Sequence, residues 1–412
     1  MESTVADRQT SRGDMLKLAS GFAVSQMGDA AYAVGLTAIV YARSQSATLA
    51  GAVTAARVLP AVVAGPLAGL LADRTHRLGL MVVADLVRVA LMVASAAAVI
   101  AGWPAWTLLI FAAGAQAAAV VSGPCLAASL PSLVGVAGLA RANAARAVLT
   151  EISFIVGPLV VAVLLSFDAH AALFVLVGAM FAVSASLLLT IGDRTAFRRT
   201  GWVAPTGVSS FRIVLAAFRK RPALLTMAIA DVAGSFVYGL LTVLLVMVAA
   251  GDRYGLAFVA LGVGGIVGAI CAPRFGESPR AVAVVLAVLA ALLDLCGLGL
   301  GFLGLSVVLC LTGAAISLIE VRTDIAVQRD APAPIIGTVA GWVLHADYVA
   351  MAAGAAMAAP LTGLVGPRAA FPITAVLVAG CACVLIFRSF SGAASGRSRP
   401  RRGRAAGRWR SP

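Results

Sequence analysis

Few side chains in this sequence have the types and spacing to do chemistry, and most of them stand inside long apolar stretches. Asp29, Arg57, Asp231, Asp294, His345 and Asp347 are of this kind. A carboxylate so placed can bind a cation, or take up and release a proton. A histidine can change charge near neutral pH. Asp29 and Arg57 both fall near the middle of their stretches, so they are expected to pair, with Asp29 as a proton- or substrate-linked carboxylate. His345 and Asp347 are two residues apart and cannot share a helix face, so one of them is expected to look inward. Glu151, Glu320, Arg322 and Asp324 gather towards stretch ends. Beside these charges stand Gln26, Tyr32, Gln116, Asn143, Ser153, Tyr238, Trp342 and Tyr348, the candidates to line a cavity. A wall rich in Ala, Val and Leu would suit a large lipophilic molecule held by few specific bonds.

The elements that must position these groups are blocks of about 20 apolar residues, the length that spans a bilayer core as a helix. Of 412 residues, 61% are hydrophobic and only 12% charged. A soluble domain carries about 25% charged residues. Lipid offers no hydrogen-bond partners, so each block must satisfy its own backbone, and helix does so alone. The alternating ten-residue segments of a membrane barrel are absent. An ionisable group at mid-membrane costs at least about 2.5–3.5 kcal/mol by insertion scales, so those above are expected to be used. The expected fold is therefore an all-α polytopic membrane protein with twelve spans. They run over 15–42, 48–72, 78–101, 104–126, 146–166, 170–191, 223–250, 254–273, 281–302, 304–325, 335–361 and 368–388. The polar start, Met1 to Asp14, lacks the pattern of a cleavable signal peptide.

The net charge of +14 is spread between the apolar blocks, which points to topology rather than to nucleic acid. With the N-terminus inside, 26 of the 31 Lys+Arg fall on the cytoplasmic side. Arg43, Arg253 and Arg368 face out. Short loops and span ends still place Arg74, Arg77, Arg141, Arg146, Arg274, Arg280, Arg322 and Arg329 inside. Both termini are then cytoplasmic. The expected organisation is a cytoplasmic segment 1–14, a six-helix bundle 15–191, a linker 192–222, a second bundle 223–388 and a tail 389–412. Within the linker, Phe211, Val214, Leu215 and Phe218 recur at helical spacing among Arg212, Arg219 and Lys220, a short helix for the inner membrane surface. The Arg-rich tail is expected to be disordered and to meet anionic headgroups. The six cysteines read as small apolar helix residues.

The two bundles carry traces of one repeat. Gly65-xxx-Gly69 runs into Asp73-Arg74, and Gly264-xxx-Gly268 runs into Pro273-Arg274. Asp29 and Asp231 recur at nearly the same offset, each followed by a Tyr and a Gly-Leu pair: Tyr32 with Gly35-Leu36, Tyr238 with Gly239-Leu240. Transporter folds are often built from such repeats.

Six plus six spans, a polar linker and this repeat resemble the major facilitator superfamily. The most telling residues are Gly69-Leu-Leu-Ala-Asp73-Arg74-Thr-His76-Arg77, which look like that family's signature loop, with His76 where the pattern has Gly. The resemblance implies a charge network at Asp73, Arg74 and Arg77 that latches the cytoplasmic ends of the halves, extended by Asp85 and Arg88. The corresponding loop of the second half, Ala272-Pro273-Arg274-Phe275, has lost the acid. The stretch from Gly123-Pro124 through Leu130-Pro131 and Ala142-Asn143-Ala144 to Gly157-Pro158 is similar to the branch of macrolide-efflux and siderophore-export proteins. So are Gly28-Asp29 and Arg57-Val-Leu-Pro60. Gly157-Pro158 matches part of an antiporter motif of the fifth span. In the resembled fold the seventh span lines the cavity and the ninth is peripheral, which favours Asp231 over Asp294.

The expected function is a secondary transporter, proton-coupled and exporting a lipophilic drug, antibiotic or secondary metabolite. The alternatives are an importer or siderophore exporter of the same fold, and more remotely a membrane sensor or enzyme. No Gly-rich loop with Lys marks a nucleotide site. Three scattered histidines and isolated cysteines make no nucleophile or metal constellation, so no cofactor is indicated. The implied partners are a small molecule, protons and membrane lipid, with a monomer implied by the resemblance.

Overall fold

A computed structural model describes residues 10–44, 47–165, 167, 169–192, 197, 208–248, 253–276 and 278–396. The apolar blocks are helices: α1 (Thr10–Ser44), α2 (Ala47–Arg74), α3 (Arg77–Ile100), α4 (Trp106–Ala119), α5 (Ser122–Leu165) and α6 (His170–Leu189). After them come α7 (Val208–Lys220), α8 (Pro222–Val248), α9 (Arg253–Cys271), α10 (Pro279–Gly297), α11 (Phe302–Asp330), α12 (Ile336–Val365) and α13 (Ala370–Gly396). Ten segments among the described residues are long and apolar enough to cross a membrane. One of them, Trp106–Leu165, has 60 residues and is interrupted at Gly135, whose φ of 65° falls in the left-handed region. Leu126 and Leu130 before the glycine share one apolar cluster with Leu139 and Ala142 after it, so the chain turns back there. Together with the 35-residue α1, this is consistent with twelve crossings.

Large apolar side chains that point outward, such as Val63 and Phe387 at 72% exposure, are a face for lipid rather than water.

The two halves repeat one packing plan. In the first, α1 packs on the second arm of α5 and on α6, α3 on α6, and α4 on α2 and α3. In the second, α8 packs on α12 and α13, α10 on α13, and α11 on α9 and α10. Between the halves, α2 meets α12 and α5 meets α9, again as symmetry requires. The repeated glycines do not follow this symmetry. A Cβ at Gly69 would strike Gly337 and Gly341 of α12 across the halves, whereas one at Gly264 or Gly268 would strike Cys310 or Ala314 of α11 in its own half.

Three expected boundaries are corrected. Residues 127–145 are not a loop but helix on both sides of Gly135, because Arg141, Asn143 and Arg146 are compatible with helix and only the glycine breaks it. Helix α1 begins at Thr10 rather than 15, its start tied to the end of α6 where Lys17 Nζ donates to Thr190 O at 2.7 Å. Helix α13 runs eight residues past 388 to Gly396, since no proline stops it there. Residues 1–9, 193–196, 198–207 and 397–412, which hold the rest of the expected N-terminal segment, linker and basic tail, lie outside the described residues. The expected linker helix is α7.

Candidate functional site

Close approach of α2 and α12 builds the contact between halves. Gly65, Gly69, Gly337 and Gly341 remove the side chains that would hold these helices apart. A Cβ on Gly341 would lie 2.6 Å from the Gly69 Cα. At the end of this seam Asp73 is fully buried. Its carboxylate accepts from Gly337 N–H at 3.0 Å, and from Thr338 N–H and Oγ1 at 2.6 Å each. Helix α12 has no side-chain cap of its own. The first turn of a helix leaves N–H groups unpaired and favours an anion, so Asp73 caps α12 from the other half.

Arg77 lies 3.9 Å from Asp73 and donates to the carbonyls of Ala72 at 3.1 Å and Ala128 at 2.8 Å. It fastens the end of α2 to α5. Arg74 ends α2, half-buried. His76 has a definite role: its Nδ1 accepts from Gly79 N–H at 3.2 Å and caps α3.

Nearby, Asn143 and Gln328 exchange two amide hydrogen bonds between the halves, at 2.7 and 3.1 Å. Arg146 of α5 bonds Glu320 at 3.1 Å and pairs with Asp324, both on α11. These contacts close the end of the molecule that carries the linker helix. They run from that end to about mid-span, where His345 Nδ1 meets Val62 O at 2.6 Å. Pro66 explains this last bond. It has no N–H for the carbonyl one turn back, that of Val62, and His345 satisfies it from α12.

Behind the closed end lies a cavity of about 240 Å³ between the halves. Phe22, Gly123, Pro124, Leu126, Ala127, Leu130 and Arg146 line it from one half, and Asp231, Ser235, Glu320, Asp324, Gln328 and Asp347 from the other. Asp231 is 7% exposed. Ser235 is a polar neighbour of Asp347, whose Oδ1 is buried without a hydrogen-bond partner among the described residues. Glu320, Asp324 and Gln328 recur every four residues on one face of α11, in its last third, so they face the cavity from the linker end. Glu151 lies against Gly262 and Gly265 of α9.

The first half holds a second charge cluster. Arg88, 1% exposed, pairs with Asp29 and with Asp85 at 3.0 Å and donates to Ser25 Oγ at 2.8 Å. Its guanidinium stacks 3.5 Å from the Phe181 ring centroid, and Ser184 Oγ donates to Asp85 at 2.6 Å. The expected Asp29–Arg57 pair is therefore corrected. Helices α1 and α3 both pack on α6, and Arg88 reaches across Phe181 to Asp29. Arg57 lies within electrostatic reach of Tyr32 and Tyr348. The same geometry separates Asp85 and Arg88 from the Asp73 network they were expected to extend.

The cavity candidates divide. Tyr348 has Gln116 as a hydrogen-bonding neighbour across the halves. Tyr32 is instead core, edge-on to Phe174 at 6.2 Å. Tyr238 packs against the core of the second half. Gln26 is half-buried on α1 and does not line the cavity. Trp342 points away from the cavity to the linker helix, donating to Ser210 Oγ at 3.2 Å and stacking on Phe211 at 5.1 Å between centroids. Gly157 lets α5 touch α1, a Cβ there being 2.7 Å from Ala31 N; the side chain of Pro158 lies outside the described residues. Asp294 is exposed on α10. In the sequence Arg146 reads only as a topology charge, and the i, i+4 spacing of Glu320 and Asp324 is the signal for its partners.

Residues 18–355 match the profile of the Major Facilitator Superfamily. The chain belongs to that family of multi-pass membrane transporters. No curated protein matches it in sequence. In structure it is similar to the human organic anion transporter MFSD10 (TETRAN), with a TM-score of 0.73 and 18% identity over 92% of this chain and 99% of that one. It is also similar to a bacterial homologue of the iron transporter ferroportin in its outward-facing state, with a TM-score of 0.71 and 13% identity over 92% and 99%. The Escherichia coli fucose:proton symporter gives a TM-score of 0.68 and 12% identity over 93% and 99%. At these identities the likeness is one of fold.

Proposed function

We propose that the chain is a proton-coupled exporter that moves a lipophilic drug, antibiotic or secondary metabolite by alternating access. One observation carries this reading: a carboxylate-lined cavity lies directly behind an end closed by polar contacts between the halves. Rocking of the halves must break the Asp73–Thr338, Asn143–Gln328 and Arg146–Asp324 contacts together, and water can replace each of them as they part. Asp231 is the candidate proton carrier. It faces Asp347 from α12, Glu320 and Asp324 from α11 and Arg146 from α5. Uptake of a proton there offsets one of several like charges, so proton binding and the position of Arg146 are linked.

The arginine excess supports a cytoplasmic linker end, both termini inside, in a bacterial inner membrane. Export rests on the likeness of Gly123 to Pro158 to efflux and siderophore-export proteins. The protein acts as a monomer, and its basic tail meets anionic headgroups.

Everted membrane vesicles test the reading. With a respiratory proton gradient imposed, an exported compound should release protons from the lumen, seen as recovery of a quenched acridine dye. Asp231→Asn and Asp347→Asn should abolish that recovery at matched protein levels. A panel of drugs and secondary metabolites that moves no protons with the wild type would contradict it.

A further inference from the structure

Among the described residues, Arg146 is the one cation lining the cavity, against the four carboxylates of Asp231, Glu320, Asp324 and Asp347. It belongs to α5 in the first half, and both its partners belong to α11 in the second. Parting of the halves at the linker end carries the guanidinium away and leaves Glu320 and Asp324 without a counter-charge. Asp231 makes no direct contact with that guanidinium even now. It is buried at the cavity wall, with no hydrogen bond or ion pair among the described residues. The Oδ1 of Asp347 is likewise buried without a hydrogen-bond partner. Glu320 and Asp324 face the cavity, 42% and 31% exposed, so water meets them as the halves part, and a cation entering there competes with Arg146 for both.

We infer that these carboxylates bind an organic cation with a guanidinium or ammonium head, which replaces the Arg146 side chain as the linker end opens. The inference rests on the transporter reading above and adds its substrate class. A bare metal ion does not fit, because no three His, Cys, Asp or Glu side chains among the described residues are grouped to hold one. An organic anion would meet four carboxylates. The rest of the wall, with Leu126, Leu130, Ile316, Val343 and Leu344, suits an apolar body attached to the cationic head. Arg146 then acts as a tethered competitor. Ligand and guanidinium exclude each other, so the closed linker end and the loaded, opening linker end alternate.

The test uses the full chain in lipid nanodiscs with benzylguanidinium and benzylurea, a neutral molecule of nearly the same shape. The wild type should bind the guanidinium at least about tenfold more tightly than the urea. Asp231→Asn should weaken it about tenfold, and Arg146→Gln should tighten it by a similar factor. Thermal unfolding of Arg146→Gln is measured alongside, so that a loss of stability is itself informative: the guanidinium should raise its unfolding temperature and the urea should not. Equal binding of the two compounds, binding of neither, an unchanged Asp231→Asn, or an Arg146→Gln that is neither tightened nor rescued would overturn the inference. Charge-selective binding without proton release in vesicles would sink the transporter reading and leave the site standing. Proton-coupled movement of neutral or anionic compounds only would do the reverse.

Discussion

Asp73 and Thr338 stand 265 residues apart in sequence, and a single carboxylate oxygen of Asp73 accepts both the backbone N–H and the hydroxyl of Thr338. The carboxylate thus completes the first turn of a helix that belongs to the other half. On the proposed reading this structural cap is also the gate latch.

Asp73→Ala should loosen that latch. Hydrogen bonds to a charged group contribute about 1.5–3 kcal/mol, which is about tenfold or more in the gate equilibrium. In a cysteine-free background, Asn143→Cys and Gln328→Cys should be joined readily by a short bis-methanethiosulfonate, since the two amides meet at 2.7 and 3.1 Å, and the cross-link yield should fall several-fold once Asp73→Ala is added. Turnover should drop while the membrane level holds. An unchanged cross-link yield would remove the latch role.

Pro66 and His345 should be energetically coupled. His345→Ala leaves the Val62 carbonyl unpaired, a cost of about 1–3 kcal/mol. Pro66→Ala returns a helical N–H to that carbonyl, so the double variant should recover part of the loss. Thermal unfolding of the four proteins gives the coupling, expected to be at least about 0.5 kcal/mol. Additive losses would mean that His345 is held for another reason.

Arg88 and Arg57 should differ sharply. Arg88→Gln leaves Asp29 and Asp85 without their cation and should cost about 3–5 kcal/mol, read as loss of folded protein in detergent. Asp29→Asn added to it should restore part of the yield. Arg57→Gln should change stability little. Equal damage from both arginines would reinstate Arg57 as the partner of Asp29.

Gly341→Ala places a methyl group against the backbone of Gly69 and Gly65. Overpacking of this kind costs about 1–3 kcal/mol. The strain falls on the contact between halves, so the 143–328 cross-link yield should fall as it does for Asp73→Ala. Gly380→Ala, where a Cβ meets nothing within 4 Å, is the control and should leave the yield unchanged.

Much of this architecture was legible in the sequence because lipid imposes local rules. Block length, backbone satisfaction and arginine bias each act within one helix, and they define the spans and the linker helix. The Gly69 to Arg77 loop was legible because its residue types sit at short spacing. What was not legible depends on helix rotation and on contacts between halves. Whether Asp29 meets Arg57 or Arg88 turns on which helices share α6, and nothing local to Asp29 records that. Trp342 and Asp347 lie five residues apart on one helix, yet one meets the linker helix and the other the cavity. The loop expected over 127–145 is helix on both sides of Gly135, and nothing local tells that glycine, which takes a positive φ, from Gly138, which does not.

The central claim is that cavity carboxylates couple protons to export. The most direct measurement is accumulation of a panel of lipophilic dyes and antibiotics in a pump-deficient bacterium, comparing wild type with Asp231→Asn at equal membrane levels, with and without a protonophore. The account expects lower accumulation with the wild type alone, abolished by the protonophore. Accumulation that Asp231→Asn lowers equally, or that the protonophore leaves unchanged, would contradict it.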